Sequence, residues 1–398
     1  MWNDENAEDL ALQLVKWRRQ FHQSPELSGC EQQTSLTITN ILKKIGVKVF
    51  TFHDNYGVCG VVKGQYSGPV IAFRADMDAL PIMEKNAVSY QSTHSGIMHA
   101  CGHDGHMAIL LGLASIFVKC RRELSGTVKF IFQPAEENAP LGGATFIMNE
   151  EIMKDVQVIF GLHLWPDLPC GHIGIRTGSL MAASDRLTIK ILGKGAHAGQ
   201  PHHGVDAITI AADVIEGLGH IMSRQLDPLE TATISIGTIK GGERYNVIAR
   251  EVILEGTVRT LKEEVRQEIP KKLERLLSGM TAAQGGHYDI DYARGYPILK
   301  NCAEPTKLVI NAAQKVIGNQ SVHSDVKPAL TAEDFGNYLT KIPGAFFWLG
   351  CGKVGVQNEA LHTSCFDIDE SALLIGVKIL YQTGCLALAY YGGKKAIL

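Results

Sequence analysis

No basic tract, no low-complexity linker, no fixed-period repeat and no apolar run of membrane-spanning length occurs in this 398-residue sequence. The 38 lysines and arginines nearly balance 41 acidic residues, a net charge of −3, so nucleic acid is not an expected partner. The longest apolar run, Met107 to Val118, falls short of the roughly 18 residues that a bilayer requires, so no membrane is expected either. Cysteines number nine, an odd count spread from Cys30 to Cys385, unlike the tight disulfide framework of small secreted domains. Met1-Trp2-Asn3-Asp4-Glu5 is acidic and lacks the apolar stretch of a secretory leader. These absences point to a soluble, reduced, cytoplasmic protein. What is present is ordinary for a globular chain, with 45% apolar and 20% charged residues, so disorder of the whole chain is excluded. At about 150 residues per domain the length suggests two or three domains.

Apolar spacing predicts a first helix through Leu10, Leu12, Leu14, Val15 and Trp17, closed by Ser24-Pro25, and a second over Gln32–Lys44. Short apolar runs follow at Val47–Phe52, Gly57–Val62, Val70–Ala75, Val128–Phe132, Val156–Leu162 and Ala345–Leu349. Helical patterns lie between them at His106–Lys119 and Gly142–Lys154. This alternation predicts an α/β domain with a mostly parallel sheet. The middle of the chain has another rhythm. Asp185–Leu192, Ala232–Ile239, Val247–Val258 and His287–Tyr292 read as strands, with a Gly241-Gly242 turn, and Ala207–Gln225 and Lys262–Ala283 as helices. The order βαββαβ is that of a ferredoxin-like α+β unit. Pro297 leads back to α/β patterning.

Five segments carry chemistry. His99-Ala100-Cys101-Gly102-His103-Asp104-Gly105-His106 packs imidazole, thiol and carboxylate groups suited to zinc and its neighbours, although such a loop can also open a helix with incidental histidines. Gln133-Pro134-Ala135-Glu136-Glu137-Asn138 sets two mutually repelling carboxylates at a strand end; one could bind a cation while the other handles protons, or both could be solvated. Arg74-Ala75-Asp76-Met77-Asp78 follows another strand. His163 closes a further one, and His362 lies in a loop soon after Ala345–Leu349. Four of the five lie at or beyond the carboxyl end of a predicted strand, where open α/β sheets bind ligands. Cys101, His103, Glu137, His163 and His362 are too many donors for one catalytic zinc, which uses about three plus water. They suit two ions sharing a bridging ligand. His362 belongs with donors some two hundred residues earlier, so the βαββαβ unit is read as an insertion. The expected domains are residues 1–182 and 295–398 for the catalytic part and 183–294 for the inserted part.

The motifs Arg74–Pro81, Met98–His106, Gln133–Glu137, Gly161-Leu162-His163 and Gly195–Pro201 resemble those of the metal-dependent amidohydrolase branch of the aminoacylase and carboxypeptidase family, over essentially the whole chain. The resemblance implies a zinc-peptidase-like domain with an inserted lid that mediates assembly into a homodimer or homotetramer. It implies two divalent ions (zinc, manganese, cobalt or nickel) on Cys101, His103, Glu137, His163 and His362. Glu136 is implied as general base and Asp78 as the residue orienting a ligand, with Asp76 where other branches place a ligand histidine. In the lid, His197 is implied to reach the site, in relatives often that of the other subunit, and Asn246 and Arg259 to hold the substrate carboxylate. Asn138 and Ala249 depart from the family's usual glycine and proline. The reaction so implied is hydrolysis of N-acyl-L-amino acids; alternatives are a metallo-carboxypeptidase or dipeptidase, a cysteine hydrolase using Cys101, and a non-catalytic binding protein on the same scaffold. Unless it belongs to the substrate, Arg259 would pair with a neighbour such as Glu255.

Overall fold

Strand segments that are apolar on both faces build a sheet covered on both sides. The computed structural model describes residues 7–393; the acidic start at residues 1–5 lies outside the described residues. In chain order the elements are α1 (Ala7–Gln23), α2 (Gln32–Lys44), β1 (Lys48–Thr51), β2 (Val58–Lys63), β3 (Tyr66–Asp76), α3 (His103–Lys119), β4 (Ser125–Gln133), α4 (Ala144–Ile147), β5 (Val158–Pro169), β6 (Ile173–Gly174) and β7 (Gly178–Met181). Next come β8 (Ala183–Leu192), α5 (Ala207–His220), β9 (Ala232–Gly241), β10 (Glu251–Thr260), α6 (Glu263–Ala283), β11 (His287–Tyr296) and β12 (Leu299–Asn301). The chain ends with α7 (Ala303–Ile317), β13 (Val322–His323), α8 (Gly336–Leu339), β14 (Gly344–Gly352) and α9 (Ser371–Tyr391). They form two compact units. The first takes the chain up to Leu180, Lys300–Lys327 and everything from Asp334; the second takes Met181–Leu299 and Pro328–Glu333.

The first unit holds an eight-stranded sheet in the order β1-β2-β4-β3-β5-β14-β6-β13. Its centre, β4-β3-β5-β14, is parallel, and antiparallel pairing is confined to β1-β2-β4 and β14-β6. Phe73, Phe130, Phe160 and Phe347 fill the space between sheet and helices and are fully buried. Helix α3 is apolar nearly all round and buried along most of its length, as befits a core helix. Helix α9 is long and apolar enough to cross a membrane by length and composition, a feature hidden from the search for unbroken runs by Lys378 and Gln382. Most of it is buried against α3, α7 and β3. In α1, Leu14, Trp17 and Phe21 face the core, but Leu12 is 72% exposed and lies off that face. The helix expected over Gly142–Lys154 is reduced to one turn, α4, and a 3-10 turn at Glu151–Met153. A Cβ at Gly143 would stand 1.7 Å from the Pro134 carbonyl oxygen, so this segment is held against the chain after β4 and cannot follow its own apolar period.

The second unit is an antiparallel sheet in the order β11-β8-β10-β9 with α5 and α6 against it. Its core is Leu187, Ile189, Ile191, Ile210, Val214, Leu254, Ile269 and Leu273. The Arg266 guanidinium grips the buried Asp185 carboxylate through two hydrogen bonds of 3.0 and 2.5 Å, and Tyr292 Oη donates to the same group at 2.8 Å. The strand expected from Val247 begins only at Glu251, because Ile248 N–H bonds to the Ala196 carbonyl and leaves the ladder. Helix α5 gives way after His220 to a π turn over Ile221–Gln225.

Candidate metal centre

Adjacent parallel strands bring distant motifs to one end of the first unit's sheet. β3 ends at Asp76 beside Gln133 of β4, and β5 carries His163 next to them. The Cys101–His103 corner is made by Gly102 in the left-handed region, φ 84°, where a side chain would be strained. His103 then opens α3. Among the described residues only two non-glycines have positive φ, Ala135 at 55° and His362 at 63°. One immediately precedes Glu136 and the other is itself a predicted donor, so both deviations from ordinary backbone fall at this site.

The five predicted donors come together. Cys101 Sγ lies 3.3 Å from His163 Nε2 and 3.2 Å from His362 Nε2. Glu137 Oε1 is 3.2 Å from His362 Nε2 and 3.9 Å from His103 Nε2. Two groups bound to one ion at about 2.0–2.3 Å stand roughly 3–4 Å apart, so these separations fit shared cations. Cys101, His103 and His163 form one mutually close triad, and Cys101, Glu137 and His362 form another. The thiol is common to both. His103 Nε2 is buried without a hydrogen-bond partner among the described residues, an orphan that a metal would satisfy. Glu136 stands beside this cluster, grouped with His103 and Glu137 and only 6% exposed. Its Oε1 accepts from Asp334 N–H at 3.3 Å.

The electrostatics call for a cation. Burial, then the Glu137, Glu136 and Asp76 carboxylates, push the Cys101 thiol well above its ordinary range. Such a thiol is a poor nucleophile, which argues against the cysteine-hydrolase alternative. Burial works against charge on His103, but Asp76, Asp78 and Glu137 outweigh it and raise the imidazole to about 10. The metal-free cluster therefore collects protons that an ion would displace. Asp78 holds two of the donors. Its carbonyl accepts from His103 Nδ1 at 2.9 Å, and its Oδ2 accepts from Glu137 N–H at 2.9 Å and Ser28 Oγ at 2.6 Å.

Several supporting residues escaped the sequence reading. Arg18 is fully buried and donates to Asp104 at 2.8 Å, Asp367 at 2.9 Å and Glu370 at 3.2 Å. It thereby ties the start of α3 to the segment after His362. His22 adds 2.8 Å to Asp104 and 3.2 Å to Glu84. Asp104, read with the donors, is thus consumed by this network. Glu31, also buried, accepts from Ala135 N–H at 2.7 Å and so holds the strained residue before Glu136; burial, with the Asp78 charge next, raises its carboxyl to about 7. A polar residue in an otherwise apolar helical stripe is the signal for Arg18 and His22, which stand four and eight residues after buried Leu14.

His197, Asn246 and Arg259 stand in the second unit. His197 forms an isolated antiparallel bridge with Val247, and Ala198 N–H bonds to the Asn246 carbonyl. Asn246 Oδ1 is buried without a hydrogen-bond partner among the described residues. Among the described residues, Arg259 hydrogen-bonds only to its neighbour's carbonyl, that of Val258, at 3.4 Å. Glu255, the expected structural partner, instead pairs with Lys240 at 3.5 Å and accepts from Thr238 at 2.9 Å.

Thiol, imidazole and carboxylate donors beyond the ends of parallel strands, with a spare carboxylate beside them, define an α/β metallohydrolase type of site. Residues 72–384 match the model of peptidase family M20/M25/M40, and the chain belongs to that family. It is 39% identical to the N-acetylcysteine deacetylase of Bacillus subtilis over 376 residues, 94% of this chain and 97% of that one. It is 43% identical to the N-acyl-L-amino acid amidohydrolase of Geobacillus stearothermophilus over 290 residues, 73% of this chain and 78% of the other. A solved Bacillus subtilis structure, described as a dinuclear metal binding peptidase of the M20 family, matches with a TM-score of 0.84 at 36% identity, covering 96% of this chain and 99% of that one.

Proposed function

We propose that this protein hydrolyses the amide bond of N-acyl-L-amino acids with two divalent ions held by Cys101, His103, Glu137, His163 and His362. The observation that carries the reading is the pair of donor triads sharing Cys101, with Glu136 beside them. The names of the two relatives support the substrate class. Bound ions would lower the pKa of water and polarise the scissile carbonyl. Glu136 takes the proton of the attacking water and delivers it to the leaving amine. Asp78 keeps His103 and Glu137 in place. His197 donates a hydrogen bond to the developing oxyanion. Asn246 and Arg259 hold the α-carboxylate; the absence of any ion pair to Arg259 among the described residues supports that role.

We propose further that the chain assembles as a homodimer through the second unit. Its edge strand β9 is largely exposed, and Ile239, Tyr245 and Val247 nearby present apolar surface to solvent. A cytoplasmic location belongs to the same proposal and is supported by nine free cysteines.

The test is turnover of N-acetyl amino acids, their carboxamides and dipeptides by metal-stripped protein to which zinc, manganese, cobalt or nickel is returned. Metal-dependent cleavage of the free acids is the expected result. Turnover of dipeptides alone would move the protein to the peptidase side of the family, and equal activity with and without metal would overturn the proposal.

A further inference from the structure

A metal-ligating histidine must present a bare nitrogen, so something must fix which ring nitrogen carries the proton. For His163 the chain of contacts is continuous and every polarity in it can be assigned. The Leu164 N–H, which can only donate, points at His106 Nε2 at 2.9 Å. His106 Nε2 is therefore unprotonated, and the proton of the neutral ring sits on Nδ1. That nitrogen donates to Asp76 Oδ1 at 2.6 Å. Asp76 is anchored in turn through Oδ2, which accepts from Arg74 Nη1 at 2.7 Å. On the other side, the Leu164 carbonyl, which can only accept, lies 2.7 Å from His163 Nδ1. His163 Nδ1 therefore bears the proton, and the lone pair of Nε2 faces Cys101 at 3.3 Å. His106 and His163 also meet edge to face, with ring centroids 4.7 Å apart. All four side chains are buried, so water does not compete for these bonds.

We propose that His106 is a positioning residue: itself anchored by Asp76, it holds the Leu164 main chain between its own ring and that of His163, and so sets the tautomer and ring orientation of His163. Asp76, His103 and His106 lie close enough to suggest a third group of metal donors. Both His106 nitrogens are already engaged and Asp76 is taken by Arg74, so this trio is a hydrogen-bonded support and not an ion site. The inference rests on the reading of His163 as a metal ligand, but the tautomer it assigns can be measured without any metal.

The test has two arms, both on the full-length chain. In the first, the metal-free wild type is labelled with ¹⁵N-histidine and the ring nitrogens are observed by long-range ¹H–¹⁵N correlation. Protons on Nδ1 of both His106 and His163 are expected; a proton on Nε2 of either ring overturns the inference whatever the metal arm shows. In the second, Co²⁺ is titrated into wild type, His106→Leu, His106→Gln and His163→Ala, following the cobalt–thiolate absorption and the bound-metal count. His106→Leu should weaken one ion by about 10- to 100-fold, the usual loss when the partner of a ligand is removed. His106→Gln, whose amide offers both an N–H donor and a carbonyl acceptor, should recover most of that loss, which a simple packing defect would not. If His163→Ala loses an ion while His106→Leu keeps both within about twofold of wild type, the positioning role is wrong. If His163→Ala loses nothing, the metal reading of the site falls instead, and the tautomer measurement alone decides the clamp.

Discussion

The His22–Asp104 contact makes stability depend on pH in a calculable way. His22 is buried between Asp104 at 2.8 Å and Glu84 at 3.2 Å. Burial alone would lower its pKa, but the charge and hydrogen bond of Asp104, then the Glu84 hydrogen bond, reverse this and lift it from 6.5 to about 9. A raised histidine pKa means that the protonated ring is favoured by the fold. Its contribution is complete below about pH 6.5 and disappears as the pH climbs through 9. At about 1.4 kcal/mol for each tenfold change in proton affinity, a rise from 6.5 to about 9 is worth about 3 kcal/mol. The assay is urea unfolding of chelated wild type and His22→Gln from about pH 6 to above the His22 value of about 9. Working with the difference between the two proteins cancels the titration of His103 and other shared groups. The stability gap should shrink by about 3 kcal/mol across the range. A gap that stays constant with pH would mean that His22 is neutral in the fold and that Asp104 is balanced by Arg18 alone.

Glu136→Gln should lower kcat about a hundredfold or more while metal content holds; loss of metal there with retention in Glu137→Gln would reverse the two roles. Arg259→Ala should erase most of the preference for a free acid over its carboxamide, by about 2–4 kcal/mol in kcat/KM, and a wild type that shows no such preference would remove the carboxylate anchor. In the second unit, Arg266→Met strips the buried Asp185 of its counter-ion and should cost about 3–5 kcal/mol, read as a lowered Tm. An unchanged Tm would show that Tyr292 and Gly295 suffice to stabilise that carboxylate.

That the five candidate donors come together was legible because each sits in a short motif whose chemistry is local, and because strand ends of a parallel sheet point to one place. Arg18, His22 and Glu31 were not, since their partners lie far away in sequence: Asp104 is 86 positions from Arg18 and Glu370 is 352. The clue lay in spacing, because Leu14, Arg18 and His22 share one helical stripe with the core. Errors in secondary structure have one cause in common. Gly142–Lys154 and Val247–Arg250 carry apolar patterns for regular elements, yet a contact elsewhere, at Pro134 for the first and Ala196 for the second, claims the backbone. Period describes what a segment prefers in isolation, and tertiary hydrogen bonds and close approaches override it. His106 shares the motif of Cys101 and His103 but not their donor set, and nothing in the spacing assigns it a role; the direction of the Leu164 N–H is what supports the positioning role proposed for it.

The order in which the chain is made gives the shared thiol a temporal meaning. Synthesis releases Cys101, His103, Glu137 and His163 early, with β1 to β5 already available to pair, and domains generally begin folding from the N-terminal side. His362 and β14 emerge only after the whole second unit has left the ribosome. The triad of Cys101, His103 and His163 is therefore complete in a nascent chain that still lacks the last corner of the other triad. On the proposed assignment, one ion would have its full set of protein donors before the second. The last candidate donor is delivered by a segment that Arg18, far earlier in the chain, locks through Asp367 and Glu370.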